Sequence, residues 1–362
     1  MKAVIVGAGV AGLGIGWRLL QAGAAVTILE RARPGGGATW AAAGMLAVTA
    51  ELEDAVEAER QFALIANDMW PDFAAELEAC TGRSIAFARS GSLLLARDAA
   101  ELEVLRARED CARRIVDPET IRSLVPMLEG AGGLWVPNEA QVDSRALGEA
   151  LTAAFLKGGG QLVPNEAAVR IDWRDGGAAT VLTPYGRHQG DAVVIAAGAW
   201  SSLLGDFPIT PVKGEMIALS PPTGAALPAP MIWGNGVYLV PRLHQNRLLV
   251  GATVEDAGFD TCLTAAARAR LLERARGLMP SLAGWPVADH WAGLRPKSPD
   301  GLPLLGPAAP NLFVAGGQYR NGILFAPAVA RMMADMVLGR GAPDPVFGPA
   351  FDPRRFSNKE TA

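Results

Sequence analysis

Two glycine-rich turns near opposite ends of the chain have residue types and spacings suited to chemistry. In the first, Val4-Ile5-Val6-Gly7-Ala8-Gly9-Val10-Ala11-Gly12, the glycines at 7, 9 and 12 form a complete G-x-G-x-x-G pattern, and Glu30 follows the next apolar run, Ala25-Val26-Thr27-Ile28-Leu29. The second runs from Val314 to Leu324 and holds Gly316-Gly317 and Arg320-Asn321-Gly322. The first pattern suits a dinucleotide. Gly7 permits a tight turn, Gly9 lets the backbone approach a pyrophosphate, and Gly12 lets helix and strand pack closely while the helix N-terminus offers free amides to the anion. Glu30, about twenty residues on, is placed to hold both hydroxyls of an adenosine ribose. The glycines alone do not separate FAD from NAD.

The elements that must position these residues follow from the apolar periodicity. Ala3–Val6 reads as a buried strand, Leu13–Gln21 as a helix stopped by Gly23, and Ala25–Leu29 as the second strand. Residues 33–45 carry almost no bulk apart from Trp40 and Met45, which suits a flat aromatic system lying against the backbone. Helices are predicted over Glu51–Thr81, Ala99–Ala112, Val142–Phe155 and Thr264–Leu278, with Asp117-Pro118-Glu119 as a further helix start. The continuous run Ala192–Ala197 reads as a strand buried on both faces of a mainly parallel sheet. Beyond Pro211 the pattern becomes antiparallel: Met216–Leu219, Gly236–Val240 and Arg247–Ala252. Asn311–Gly317 is a strand, and Gly322–Leu338 a helix that Pro327 is expected to kink. The fold expected is α/β: a Rossmann-like nucleotide-binding domain, formed discontinuously by residues 1–85, 140–205 and 290–350, with an inserted α+β antiparallel-sheet substrate domain from 86–139 and 206–289. Residues 351–362 are expected to be a tail.

Composition narrows the function further. A chain of 362 residues suits two domains, and 50% hydrophobic with 19% charged residues leaves a large core to bury. A net charge of -4 without any Lys/Arg run argues against a nucleic-acid partner. No apolar run reaches the roughly 18 residues of a membrane helix, and Met1-Lys2 leads straight into the first strand, so a cytoplasmic protein is expected. Cys80, Cys111 and Cys262 are scattered, and His188, His244 and His290 lack metal-ligand spacing, so neither a redox pair nor a metal is expected.

The fingerprint through Glu30-Arg31, the Ala41-Ala42-Ala43-Gly44-Met45 segment, Val194-Ile195-Ala196-Ala197-Gly198-Ala199-Trp200, Pro211-Val212-Lys213-Gly214-Glu215, Trp291-Ala292-Gly293-Leu294-Arg295-Pro296 and Arg320-Asn321-Gly322-Ile323-Leu324-Phe325-Ala326-Pro327 occur in this order. Together they resemble the D-amino-acid oxidase family of FAD-dependent amine oxidases, whose FAD domain is of the glutathione-reductase type, and within it the bacterial glycine oxidases of thiamine-thiazole synthesis. The resemblance implies that Gly7, Gly9, Gly12, Glu30 and Arg31 hold the ADP half of FAD, with Val169 in the adenine-contacting strand. It places Thr39, Gly44, Met45, Gly198 and Trp200 along the cofactor, and Gly317, Arg320, Asn321, Gly322, Ile323 and Leu324 around the pyrimidine end of the flavin. Arg295 corresponds to the clamp on the substrate carboxylate, and Tyr238 to a tyrosine that contacts the same group.

The segment Lys297-Ser298-Pro299-Asp300 has no cysteine for covalent attachment, so the FAD is expected to be dissociable. The implied reaction is oxidative deamination of glycine or a related small amino acid to glyoxylate or the matching 2-oxo acid, ammonia and hydrogen peroxide, with molecular oxygen as acceptor. No His, Asp or Glu in these motifs stands out as a base, and the mechanism implied needs none. A D-amino-acid or N-substituted-glycine dehydrogenase with a quinone acceptor shares the same motifs, and a homo-oligomer is compatible with them.

Overall fold

The computed structural model describes residues 1–52, 55–173, 178–341 and 344–357. Two large sheets organise them. The first has six strands in the order Leu304–Ala309, Leu312–Gly316, Ala192–Ile195, Lys2–Val6, Ala25–Leu29 and Gln161–Val163. Neighbours run parallel except for the antiparallel edge pair Leu304–Ala309 and Leu312–Gly316. Helices Val10–Gln21, Ser144–Lys157 and Ala326–Val337 cover one face. A three-stranded sheet, Arg170–Asp172, Ala179–Thr183 and Gly186–Gly190, covers the other. Burial on both faces is why Ala3-Val4-Ile5 and Ala192–Ile195 are apolar without alternation. The parallel core is Rossmann-like, as the glycine pattern predicts.

The second sheet has eight strands in the order Val287–Lys297, Thr210–Leu219, Arg247–Gly251, Val237–Arg242, Met231–Gly234, Ser92–Ala96, Gly132–Val136 and Arg114–Val116. All its pairs are antiparallel except Met231–Gly234 with Ser92–Ala96. Side chains alternate between its faces. Ile217 and Leu219 pack with Leu271, Ala275 and Leu278 of helix Ala265–Leu278, whereas Met216 and Ala218 turn towards Ala41, Ala43 and Ala47 of the first body. Lys213 and Glu215 fall on the helix side and are buried, which is affordable because Lys213 Nζ meets Glu215 Oε1 at 2.9 Å. Glu215 also accepts from the Thr264 amide at the start of the helix.

Several expectations shift. Val287–Lys297 pairs along its length with Thr210–Leu219, so residues 290–297, expected with the nucleotide segments, run in the second sheet. The helix predicted over Glu51–Thr81 is two helices, Val48–Glu51 and Glu57–Thr81, with residues 53 and 54 outside the described residues. The helix from Ala99 ends at Arg106, and the strand predicted from Met216 begins at Thr210. The last long helix starts at Ala326 rather than Gly322, and Pro327 sits in its first turn, where a missing N–H breaks no bond and no kink arises. Of the expected tail, residues 351–357 form a helix end and a short 3-10 turn, and 358–362 lie outside the described residues. No helix among the described residues is long and apolar enough to cross a membrane.

Candidate active site

A single cavity of about 1100 Å³ runs from the first glycine turn to the second sheet. At its nucleotide end, Gly7 has φ +105°, and a Cβ there would overlap the Ala196 carbonyl. A Cβ on Gly12 would overlap the Gly7 carbonyl, so Gly12 is a packing glycine and does not line the cavity. Gly9 differs from both. A Cβ on it would meet only the Thr39 hydroxyl oxygen, at 3.5 Å, so the space it keeps open belongs to the cavity. No side chain caps helix Val10–Gln21 at Gly9, while the Val10 amide donates to Thr39 Oγ1 at 2.9 Å.

Glu30 Oε2 accepts from the Ala8 amide at 2.8 Å and Oε1 from the Ala32 amide at 2.9 Å, which fixes the turn. Each oxygen keeps a lone pair for a hydroxyl of a ribose. The Arg31 guanidinium lies 4.0 Å over the Trp200 ring, itself stacked on Phe259. Gly198, at φ +56°, lines the wall with nothing within 4 Å of a Cβ. An open cradle at Gly9 and Gly198 beside a helix start that Gly9 itself does not cap is what a bound pyrophosphate requires, and FAD fits the residues present. Val169 departs from the pattern: it is 57% exposed and outside the lining, where Glu166, Ala167 and Ala168 stand instead.

In the middle of the cavity, Gly44 has φ +74° and sits so close to the Val142 carbonyl that no Cβ fits. Buried Arg242 holds this segment to the second sheet, donating to Gln141 Oε1 at 2.7 Å, Val142 O at 3.0 Å and Ala43 O. Burial lowers its pKa to about 10 despite Asp143 nearby. Met45 lines the cavity beside it.

The second glycine turn closes the far wall with Gln318, Tyr319, Arg320, Asn321, Gly322, Ile323 and Leu324. Gly317, at φ +69°, faces Leu304 and shapes the turn from behind. The turn is tied on three sides: Tyr319 N donates to Pro296 O at 2.8 Å, Asn321 Nδ2 to Glu59 Oε1 at 3.0 Å, and Trp70 Nε1 to Leu324 O at 2.9 Å. Burial works against charge on Arg320, but Tyr319, Glu51 and Tyr238 around it hold its pKa above the ordinary value.

Arg295 and Tyr238 meet at the end of the cavity formed by the second sheet. Two absent side chains make room for them, since a Cβ on Gly214 would overlap the Arg295 guanidinium and one on Gly251 would overlap the Tyr238 ring. Arg295 Nη1 donates to Thr253 O at 3.1 Å, and among the described residues no carboxylate lies within 4 Å of it. A guanidinium lodged in a cavity without an acidic partner is arranged to take one from solution. Tyr238 is pushed up to about 12, first by burial, with Arg295 opposing; its hydroxyl is therefore a neutral donor throughout the working range. Its hydroxyl lies beside the Arg295 guanidinium and makes a weak contact with Met216 Sδ at 3.8 Å. Tyr238→Phe should lower kcat/KM for the substrate about tenfold without moving the pH profile, since one hydrogen bond of roughly 1.4 kcal/mol is lost and the ring stays. A loss of the fold or of cofactor would show instead that the hydroxyl is structural.

One residue of the site escapes the motifs. Glu51 ends the short helix Val48–Glu51 and lines the cavity near Arg295 and Arg320. The helix is held by buried Glu139, whose Oε1 accepts from the Thr49 and Ala50 amides at 2.6 and 3.3 Å. Burial lifts Glu51 to about 7, with Arg320 and Arg295 pulling down and Glu139 pushing up. The sequence did hold a signal for the break: Glu57 and Glu59 crowd the true first turn of the long helix, where acids favour the N-terminus.

The chain is similar to known proteins over nearly its whole length. The family described as DAO, FAD dependent oxidoreductase, matches residues 2–336. A bifunctional ThiO/ThiG protein of Synechocystis is 36% identical over 361 residues, covering 98% of this chain but 54% of that protein, so the chain spans about half the length of such relatives. Glycine oxidase of Geobacillus kaustophilus is 35% identical over 92% of both chains, and its crystal structure superposes with a TM-score of 0.90 at 32% identity over 98% and 99% of the two chains. The structure of iminodiacetate oxidase from Chelativorans superposes with a TM-score of 0.88 at 27% identity, covering 97% and 98%. With the glycine cradle, the Rossmann-like core and the second sheet all in one arrangement, the chain belongs to the DAO family of FAD-dependent oxidoreductases, the D-amino-acid oxidase type.

Proposed function

We propose that the protein oxidises glycine, or an amino acid nearly as small, to the 2-oxo acid with release of ammonia and hydrogen peroxide. The observation that carries this reading is Arg295, a guanidinium without an acidic partner among the described residues, in the same cavity as the Gly9 cradle. For glycine the overall reaction consumes oxygen and water and yields glyoxylate, ammonia and hydrogen peroxide. The bound FAD supplies the acceptor for the Cα hydrogen and its electron pair. The protein supplies placement: Arg295 takes the carboxylate through two parallel bonds, Tyr238 donates a third, and the Cα is thereby fixed at one depth in the cavity. Met216, Ala252 and the Trp233 ring line the walls and limit water around the reacting carbon. The likeness to the ThiO part of ThiO/ThiG proteins supports a place for the product in thiamine-thiazole synthesis.

A second reading, an N-substituted glycine as substrate, is favoured by the mouth of the cavity. Gly236, at φ +71°, carries no side chain there, and two exposed guanidiniums suited to an anionic extension line the same region: Arg274, which donates to Gly236 O at 3.3 Å, and Arg270, 4.0 Å from Glu255. Anaerobic glycine should bleach the yellow holoenzyme, and air should restore the colour with one peroxide per glyoxylate. Bleaching by iminodiacetate or sarcosine but not glycine selects the second reading. Bleaching that only a quinone reverses replaces the oxidase with a dehydrogenase.

A further inference from the structure

Three carboxylates line the cavity among the described residues: Glu30, Glu51 and Glu166. Two are committed at the nucleotide end. Glu30 holds the Ala8 and Ala32 amides, and Glu166 Oε1 takes the Thr183 hydroxyl at 2.6 Å and His188 Nε2 at 2.7 Å. Glu51 alone stands at the substrate end, on a helix that Glu139 anchors through backbone amides. An amino acid enters as a zwitterion, with its ammonium one carbon from its carboxylate. Once Arg295 has the carboxylate, the ammonium is confined beside two guanidiniums, Arg295 and Arg320, which repel it. A buried ammonium needs acceptors, and guanidiniums have none to offer.

We propose that Glu51 is a catalytic residue that receives the proton of the substrate ammonium, delivering the amine in its neutral form; this rests on the amine-oxidation reading above. One N–H bond breaks and its electron pair stays on nitrogen, while an O–H bond forms on the carboxylate, so the net charge of the cavity is unchanged. The freed lone pair then forms the C=N bond as the Cα hydrogen departs with its own electrons. The groups facing Glu51 suit the task. Arg295 from strand Val287–Lys297 and Arg320 from the second glycine turn keep a fraction ionised, Glu139 and burial raise its basicity, and Tyr238 from strand Val237–Arg242 stays neutral. A base is most effective when its pKa lies near the working pH. Glu51, raised to about 7, meets that condition.

The test uses FAD-loaded wild type, Glu51→Gln and Glu51→Asp, with kcat/KM for glycine measured against pH and glycolate binding followed by the flavin spectrum. In wild type kcat/KM should fall tenfold per pH unit as pH drops below about 7, because protonated Glu51 cannot accept. Glu51→Gln should lose about 100-fold at neutral pH and show no such limb, gaining activity only where the substrate itself deprotonates. Glu51→Asp should recover part of the loss. Glycolate, which has the carboxylate but no ammonium, should bind Glu51→Gln as well as wild type or more tightly, since a negative charge beside Arg295 is gone. Near-normal turnover of glycine by Glu51→Gln with its acid limb intact overturns the proposal, and so does an equal loss of glycolate affinity, which marks a structural role. If wild type oxidises none of the amines, the proposed function falls and this role with it. If wild type turns over an amine other than glycine, the same comparison is made with that amine and decides Glu51 alone.

Discussion

Arg295→Lys should keep the fold and the FAD yet lose on the order of 100-fold in kcat/KM, equivalent to roughly 3 kcal/mol. Lysine preserves the sign of the charge but not the planar fork, so one of two parallel bonds to the carboxylate disappears and the substrate can rotate about the other. The space left by Gly214 is shaped to a guanidinium lying flat, and the Nη1 bond to Thr253 O that holds it there has no counterpart on a flexible ammonium. Because the carboxylate sets where the Cα stands, KM should rise and kcat fall together. Steady-state kinetics with glycine and competition by glycolate measure both. A variant with near-normal kcat/KM and inhibitor affinity would place the clamp elsewhere in the cavity.

Gly9→Val should give a folded, colourless protein. The structure separates Gly9 from its neighbours in the turn: a Cβ at Gly7 or Gly12 collides with backbone, whereas at Gly9 the protein itself offers only an ordinary contact with Thr39. The isopropyl group therefore fills the cavity rather than breaking the core. Losing two charge-assisted bonds to a pyrophosphate, at about 1.5–3 kcal/mol each, weakens FAD binding by roughly 10² to 10⁴. Circular dichroism should match wild type while fluorescence titration finds little binding. Full flavin occupancy in this variant would show that the turn holds something other than the pyrophosphate.

Local chemistry was legible in the chain and long-range pairing was not. The turn at Gly7, Gly9 and Gly12 with Glu30 is a contiguous pattern whose geometry comes from backbone sterics, and it folds as read. The run Ala192–Ile195 announced its burial because both faces of its strand are covered. The start of Thr210–Leu219 lies six residues before the expected Met216, because Lys213 and Glu215 look like surface residues until their mutual pairing is seen. The motif singles out Arg295, yet the sheet its strand joins depends on Thr210–Leu219, some eighty residues earlier in the chain. Glu51 was hidden for a similar reason. Its short helix starts where Glu139, from a distant loop, grips the Thr49 and Ala50 amides, and no local propensity records that hold.

Strand Lys2–Val6 lies between Ala25–Leu29 and Ala192–Ile195, and the latter beside Leu312–Gly316. During synthesis the first of these strands emerges early and then waits for a neighbour made about 190 residues later. At the usual pace of translation that wait is roughly 10–40 s, during which an apolar edge is available to wrong partners. The wall containing Arg320–Leu324 leaves the ribosome later still, so the flavin meets a finished cradle only after all of these strands have been made. Conditions that shield that edge during synthesis should therefore raise the yield of folded protein on expression.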